Sequence, residues 1–272
     1  MKTSRNDNKK RRVRKARRRL VFILVAIFLM IFLVEKLTSA PEEEVVADKI
    51  IIQSTKQPVK QKKPDVKPVD KVVYLTFDDG PTTLTDQFLD LLKEQDIKAT
   101  FFMQGTNLQK NDLQESVKRA TEEGHYVGAH SISHDYKKLY NNGLFVSEMN
   151  ETLSLIKDIT GTNPKLVRPP YGSEPGLKSE QIRNQIVKYG IKVWDWTIDS
   201  NDWELKDNPN QIVEHIKKQT KRDREVILMH EKLQTLQALP EIIAFYKEKG
   251  YEFAVYSNAD HFYLNFQNDI RL

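Results

Sequence analysis

The sequence predicts an α/β fold: a parallel sheet with helical crossovers, curled into a barrel slightly smaller than the usual eightfold one. Three observations lead there. Short apolar runs alternate with amphipathic stretches from residue 72 onward, and such alternation joins parallel strands by helices. Helix stops are written into the chain, as at Gly190 and Gly250, where a left-handed residue ends a helix at no steric cost. The chemically unusual residues all follow apolar runs, and parallel α/β folds build their sites at the C-terminal ends of strands. An open doubly wound sheet is the alternative architecture.

The strand series runs 72–77, 99–103, 126–130, 166–168, 191–196, 226–230 and 251–256. The first run, Val72-Val73-Tyr74-Leu75-Thr76-Phe77, is β-branched and aromatic, and Gly80-Pro81 closes it. Between the runs lie helical stretches at 84–94, 113–123, 144–159, 179–189, 210–219 and 236–249. Trp194 and Trp196 sit two residues apart on the fifth run, where Trp203 lies beyond its end. One of the first two is expected in the core.

The N-terminal part reads differently. Residues 1–19 hold eleven Lys/Arg against one acid, Asp7, so the net charge of +5 conceals a remainder with 32 bases and 37 acids. The folded body is therefore not a polyanion binder, and nucleic acid is not an expected partner. Residues 20–34 are fifteen consecutive apolar residues, rising about 22 Å against the ~30 Å of a bilayer core. With residues 37–40 and snorkelling Arg and Lys they complete a span, and the basic block stays cytoplasmic. Residues 1–19 thus read as a cytoplasmic segment, 20–40 as a single-pass signal anchor and 41–70 as a Lys/Pro-rich extended linker. Residues 71–272 are then a folded domain outside the cytoplasm. A cleavable signal peptide is the alternative, which Pro41 after Thr38-Ser39-Ala40 disfavours.

There are no cysteines, so any metal must be held by His, Asp or Glu. Asp78 and Asp79 follow the first strand, and two adjacent carboxylates leaning into one cleft repel unless a cation or proton lies between them. His130 and His134, read as i and i+4 on a helical turn, present two imidazoles to one ion. With one carboxylate they make a two-His, one-carboxylate site for Zn2+, or for Co2+, Mn2+ or Ni2+. One Asp would bind the metal and the other act as base, and the residues alone leave open which does which. Arg168 is the cation available to orient the base. His230 suits a general acid, with Asp199 as the carboxylate to hold it. The Tyr171 backbone N–H, in a Pro-Pro-Tyr-Gly turn, suits an oxyanion. His125, His215 and His261 read as structural or surface residues.

Thr76-Phe77-Asp78-Asp79-Gly80, His130-Ser131-Ile132-Ser133-His134, Arg168-Pro169-Pro170-Tyr171-Gly172, Asp199 with Trp203, and Leu228-Met229-His230 stand in that order. In this order they resemble the NodB-type polysaccharide deacetylases, carbohydrate esterase family 4, over roughly residues 72–256. The resemblance implies a distorted (β/α) barrel of seven to eight units. It also implies metal-dependent removal of N-acetyl groups from a polymer of N-acetylglucosamine type, most simply peptidoglycan. It makes Asp78 the base and Asp79, His130 and His134 the metal ligands. His230 becomes the acid supported by Asp199, and Arg168 supports Asp78. Tyr171 gives the oxyanion N–H, and Trp203 and Leu228 line the acetyl-methyl pocket. Glu231 departs from the Asp that many members carry after the histidine. The competing readings are an O-acetyl esterase of the xylan type and an inactive glycan-binding module.

Overall fold

The computed structural model describes residues 71–272. The predicted segments 1–19, 20–40 and 41–70 lie outside the described residues. Among those described, no helix is long and apolar enough to cross a membrane.

Eight strands form one all-parallel sheet: β1 (Val72–Gly80), β2 (Thr100–Met103), β3 (Tyr126–Ala129), β4 (Leu166–Val167), β5 (Lys192–Val193), β6 (Ile198–Asp199), β7 (Arg224–His230) and β8 (Glu252–Ala254). Their order is β5-β4-β3-β2-β1-β7-β6. β8 joins β1 at Val72 to Tyr74, below the stretch of β1 that pairs with β2. The longer crossover helices are α1 (Thr85–Glu94), α2 (Gln114–Glu122), α3 (Phe145–Thr160), α4 (Glu180–Lys188), α5 (Pro209–Gln219) and α6 (Leu233–Glu248). Gly190 and Gly250 stop α4 and α6 at φ of 67° and 74°, as predicted.

The sheet is curled. Trp194, just past β5, lies four strands from β1 in the sheet order, about 19 Å if the sheet were flat. Its ring centroid is instead 5.2 Å from that of Tyr74 on β1. The result is a parallel half-barrel with helices outside, not the open doubly wound sheet.

The fifth predicted strand, 191–196, holds only the two residues of β5, and a second short strand, β6, follows beyond its predicted end. The chain leaves β4 after the Trp194 N–H donates to the Val167 carbonyl, and joins β7 when the Thr197 N–H donates to that of Val226. β5 and β6 are thus successive short strands, separated by a bend at Thr197, that pair on opposite sides of the seam, where Trp194 bridges to Leu264 of the C-terminal segment. Two-residue pairings carry no periodicity for a sequence to reveal.

Alternation along β1 sorts the interior. Val73, Leu75 and Phe77 point outward into the main core beneath the helices, where Phe77 packs on Phe88 and Phe101 at centroid separations of 4.9 and 5.2 Å. Tyr74, Thr76 and Asp78 point into the curl. Tyr74 meets an inner aromatic floor of Trp194, Tyr256 and Phe262. Thr76 accepts from Arg168 in the middle, and Asp78 reaches the mouth.

Candidate active site

Two consecutive acids face one cleft because the strand is bulged. Phe102 of β2 stands opposite Asp78 and Met103 opposite Gly80, so Asp79 is the extra residue. Its φ of 68° turns it beside Asp78, and its carbonyl is held by the Asn107 side-chain amide at 2.9 Å.

Asp78 is buried. Arg168, fully buried after β4, donates from Nη1 to Asp78 Oδ1 at 2.9 Å and to Thr76 Oγ1 at 2.6 Å. Its Nη2 donates to the Asp195 carbonyl at 2.9 Å, and the guanidinium lies 4.2 Å from the Phe102 ring centroid. Every part of that cation is engaged, which is what lets a buried charge stand opposite a single carboxylate.

His130 and His134 do not ride a helix. Residues 130–134 form a loop, with Ser131 and His134 at φ of 63° and 53°. Ser131 Oγ accepts the His134 N–H at 2.9 Å, and the buried Glu148 of α3 accepts both the Ser133 N–H, at 2.8 Å, and its hydroxyl. These bonds stabilise a left-handed backbone that costs about 1–3 kcal/mol per residue. His130 Nδ1 sits 2.7 Å from the Arg168 carbonyl. As donor to that carbonyl it leaves the Nε2 lone pair facing the cleft, the tautomer a metal ligand needs.

The resulting cluster is Asp79, His130 and His134. Asp79 Oδ1 is buried and has no hydrogen-bond partner. It lies 3.7 Å from His130 Nε2 and 3.6 Å from His134 Nε2, too far for hydrogen bonds. The separations approach the edge of about 3.3 Å between tetrahedral ligands with ~2.0 Å bonds. An orphaned carboxylate oxygen between two imidazole nitrogens fits a divalent ion, and the donor set fits a borderline metal such as zinc. Burial pushes the Asp79 carboxyl up, but His130, His230, His134 and Lys232 outweigh it and hold it below its ordinary value. Burial and His130 lower the His134 pKa, keeping the imidazole in its ligating, neutral form.

His230, at the end of β7, faces the cluster from the other side, its Nε2 4.0 Å from Asp79 Oδ2. Its partner is Asp202, not Asp199. Asp202, fully buried, accepts from His230 Nδ1 and from the His230 N–H, both at 2.7 Å. The Thr235 hydroxyl adds a third bond at 2.5 Å. Burial lowers the His230 pKa, and the Asp202 bond and charge more than reverse this, so the imidazole is held protonated above its usual range. Asp199 lines the pocket, but its Oδ1 accepts the Asn201 N–H at 2.9 Å. The difference is made by Asn201, whose φ of 59° folds the chain back and carries Asp202 beneath β7.

A pocket of about 490 Å³ joins these groups, lined by Tyr171, Trp196, Trp203 and Leu228 as well. Leu228 is buried and Trp203 is 52% exposed, so one wall is apolar and the other opens to solvent. Tyr171, at φ of 66°, donates its hydroxyl to the His134 carbonyl at 3.0 Å, and its own N–H meets no acceptor among the described residues. His125, His215 and His261 lie elsewhere: His125 is buried and accepts the Ala99 N–H, His215 is on the exposed face of α5, and His261 contacts the Leu272 carbonyl.

Comparison with known proteins agrees with this geometry. The family model described as polysaccharide deacetylase matches residues 65–194. A peptidoglycan-N-acetylglucosamine deacetylase from Bacillus cereus is 49% identical over 208 residues, 74% of this chain and 75% of the relative. The chain belongs to the polysaccharide deacetylase family. A putative member of that family from Bacillus subtilis, YheN, is 44% identical over 68% of this chain and 67% of its own. The crystal structure of the polysaccharide deacetylase Bc1974 from Bacillus cereus superposes with a TM-score of 0.72 at 48% identity, covering 74% of this chain and all of that one.

For this polysaccharide deacetylase, the ordered motifs locate the Asp79, His130 and His134 cluster together with Asp78, Arg168 and His230. Asp202 and Trp196 are what sequence reasoning missed. Asp202 follows a turn whose only local signal is Asn201, a residue that tolerates the left-handed conformation. Glu231, the departure noted in the sequence, is buried and accepts from the Thr82 N–H, the Thr82 hydroxyl and the Thr85 hydroxyl. It ties the β1–α1 loop to the end of β7, and a Cβ on Gly80 would stand 2.0 Å from its Oε1. Burial pushes its carboxyl up to about 7.

Proposed function

We propose that this enzyme hydrolyses the N-acetyl amide of N-acetylglucosamine residues in peptidoglycan, with a divalent metal held by Asp79, His130 and His134. The observation that carries the proposal is the orphaned Asp79 oxygen between two imidazoles, flanked by Asp78 with Arg168 on one side and His230 with Asp202 on the other. The names of the relatives supply the substrate class.

Asp79, His130 and His134 would hold the divalent ion, which would supply Lewis-acid polarisation of the acetyl carbonyl and a water of pKa lowered toward ~7. Asp78 takes the proton from the attacking water, and Arg168, donating to its Oδ1 at 2.9 Å, fixes this carboxylate in rotamer. Tyr171 directs its free N–H at the carbonyl oxygen as negative charge develops there. Leu228 and Trp203 enclose the acetyl methyl. His230 gives its proton to the glucosamine nitrogen as the C–N bond breaks, and Asp202 stabilises the imidazolium beforehand. The products are acetate and a free amine on the sugar, which takes up the proton His230 releases.

The anchor reading of residues 1–40 places the domain outside the cytoplasm, on a linker facing the cell wall, the compartment this substrate occupies.

Acetate release from peptidoglycan is the test. The expected result is release that a chelator abolishes and Zn2+ or Co2+ restores. Release that survives complete metal removal would overturn the metal assignment. Comparison of amide and ester model substrates separates the N-deacetylase from the O-acetyl esterase.

A further inference from the structure

A second, larger cleft of about 670 Å³ opens along the seam where the chain passes from β5 to β6. It shares Trp196 and Asp199 with the catalytic pocket, so the two abut. Its walls are aromatic: Trp196, Phe262, Tyr263 and Phe266, of which Tyr263 is 54% exposed. Exposed aromatic faces beside side-chain amides are the chemistry of sugar and peptide contact, apolar faces with a few directed polar groups.

Charge is distributed unevenly along this cleft. Glu174 and Asp199 stand beside the ends of β4 and β6, next to the catalytic pocket. Arg222 and Arg224 stand at the start of β7. From Arg224 to His230 is six strand steps, or about 20 Å. Both arginines keep donors for an anion. Arg222, its side chain 62% exposed, donates from Nη1 to the Thr197 carbonyl at 3.3 Å and stands 3.9 Å from Glu225, which leaves its Nη2 uncommitted. Arg224 makes no ion pair among the described residues, and its guanidinium lies 4.5 Å from the Phe262 ring centroid. An arginine held on an aromatic face keeps its planar fork available for a carboxylate.

We infer that the seam cleft binds the carboxylate-bearing peptide appended to the glycan whose sugar occupies the catalytic pocket, with Arg222 and Arg224 meeting its carboxylates. This rests on the peptidoglycan reading and deepens it. A neutral N-acetylglucosamine polymer would occupy the catalytic pocket and leave the cationic end of the cleft idle. The cleft therefore sets preference for peptide-bearing strands through binding and takes no part in the chemistry.

The test compares a neutral N-acetylglucosamine tetramer with a tetrasaccharide peptidoglycan fragment that carries its stem peptides. In the Arg222→Gln/Arg224→Gln double variant, KM for the peptide-bearing fragment should rise about fivefold, the size of an exposed charge contact. KM for the neutral tetramer and kcat on both substrates should stay unchanged, which also shows that the variant folds. Equal KM changes on both substrates, or none on either, would overturn the inference. Calorimetric binding of the same fragment, with its carboxylates free or amidated, gives a readout independent of turnover. Weaker binding on amidation in the wild type, absent in the double variant, supports the cleft, and equal binding refutes it. Should neither substrate release acetate, the deacetylase reading fails, and this binding comparison still decides the cleft.

Discussion

The inside of the curl has two storeys, and β1 runs through both. At the lower level Tyr74, Trp194, Tyr256 and Phe262 pack in edge-to-face and tilted pairs, at centroid separations of 4.7 to 5.6 Å. At the upper level the inward positions are Asp78, His130, Arg168 and His230, all charged or titratable. Asp78 stands four residues above Tyr74 on β1, so the change is one of identity at positions of equal orientation. Arg168 is the joint between them, its flat face on Phe102 and its donors turned up to Asp78. The lower storey carries stability, and the upper spends some of it on left-handed backbone at Asp79, Ser131, His134 and Tyr171. The contrast implies that stability and activity are separable by level.

The sharpest way to break that division is at the top. His134→Ala should lose the metal and at least about a thousandfold in acetate release, with thermal unfolding of the metal-free protein little changed. Asp78→Asn should lose about as much turnover while metal content by elemental analysis stays at the wild-type value. Metal loss in Asp78→Asn would exchange the roles of the two acids. At the floor the pattern should invert. Trp194→Ala removes a fully buried ring and a hydrogen bond from Nε1 to the Phe262 carbonyl. It should cost about 3–5 kcal/mol in denaturant unfolding, with kcat of the folded fraction near that of the wild type.

Smaller effects refine the picture. Asp202 holds the His230 pKa up, and in the proposed mechanism His230 acts in its protonated form, so this pairing would extend activity toward alkaline pH. Asp202→Asn should move the alkaline limb of kcat/KM down by about one pH unit, whereas Asp199→Asn should leave it in place. An equal shift in both variants would return the role to Asp199. Glu231 has a folded-state carboxyl raised to about 7, above its unfolded value. Its contribution to stability is therefore full at acid pH and is lost as pH rises from about 4.5 through 7. Glu231→Gln, which stays neutral, should melt higher than wild type at pH 8 and no higher at pH 4.

How much of this was legible in the sequence depended on length and period. β1 announced itself through six consecutive strand formers, and the long amphipathic helices through their spacing. The Asp79, His130 and His134 cluster was readable because the ordered motifs contain all three residues. Three features were not. The β5 and β6 pairings are too short to carry a pattern. The His130–His134 spacing fits a helix as well as it fits a loop, and only the bonds from Ser131 and Glu148 decide between them. Asp199 and Asp202 both follow the same strand, and which one meets His230 depends on a turn set by Asn201. In each case local sequence permits several outcomes, and tertiary hydrogen bonds choose one.

The bulge at Asp79 has a consequence for anyone re-engineering this barrel. On an even pleat, neighbours would diverge and one of the two acids would be lost into the packing beneath α1. The single irregular residue makes adjacency in the gene equivalent to adjacency in the reaction. Trimming one residue between Phe77 and Gly80 would straighten the strand and leave one carboxylate in the cleft that now holds two. Asp78 to Gly80 must therefore be transplanted whole.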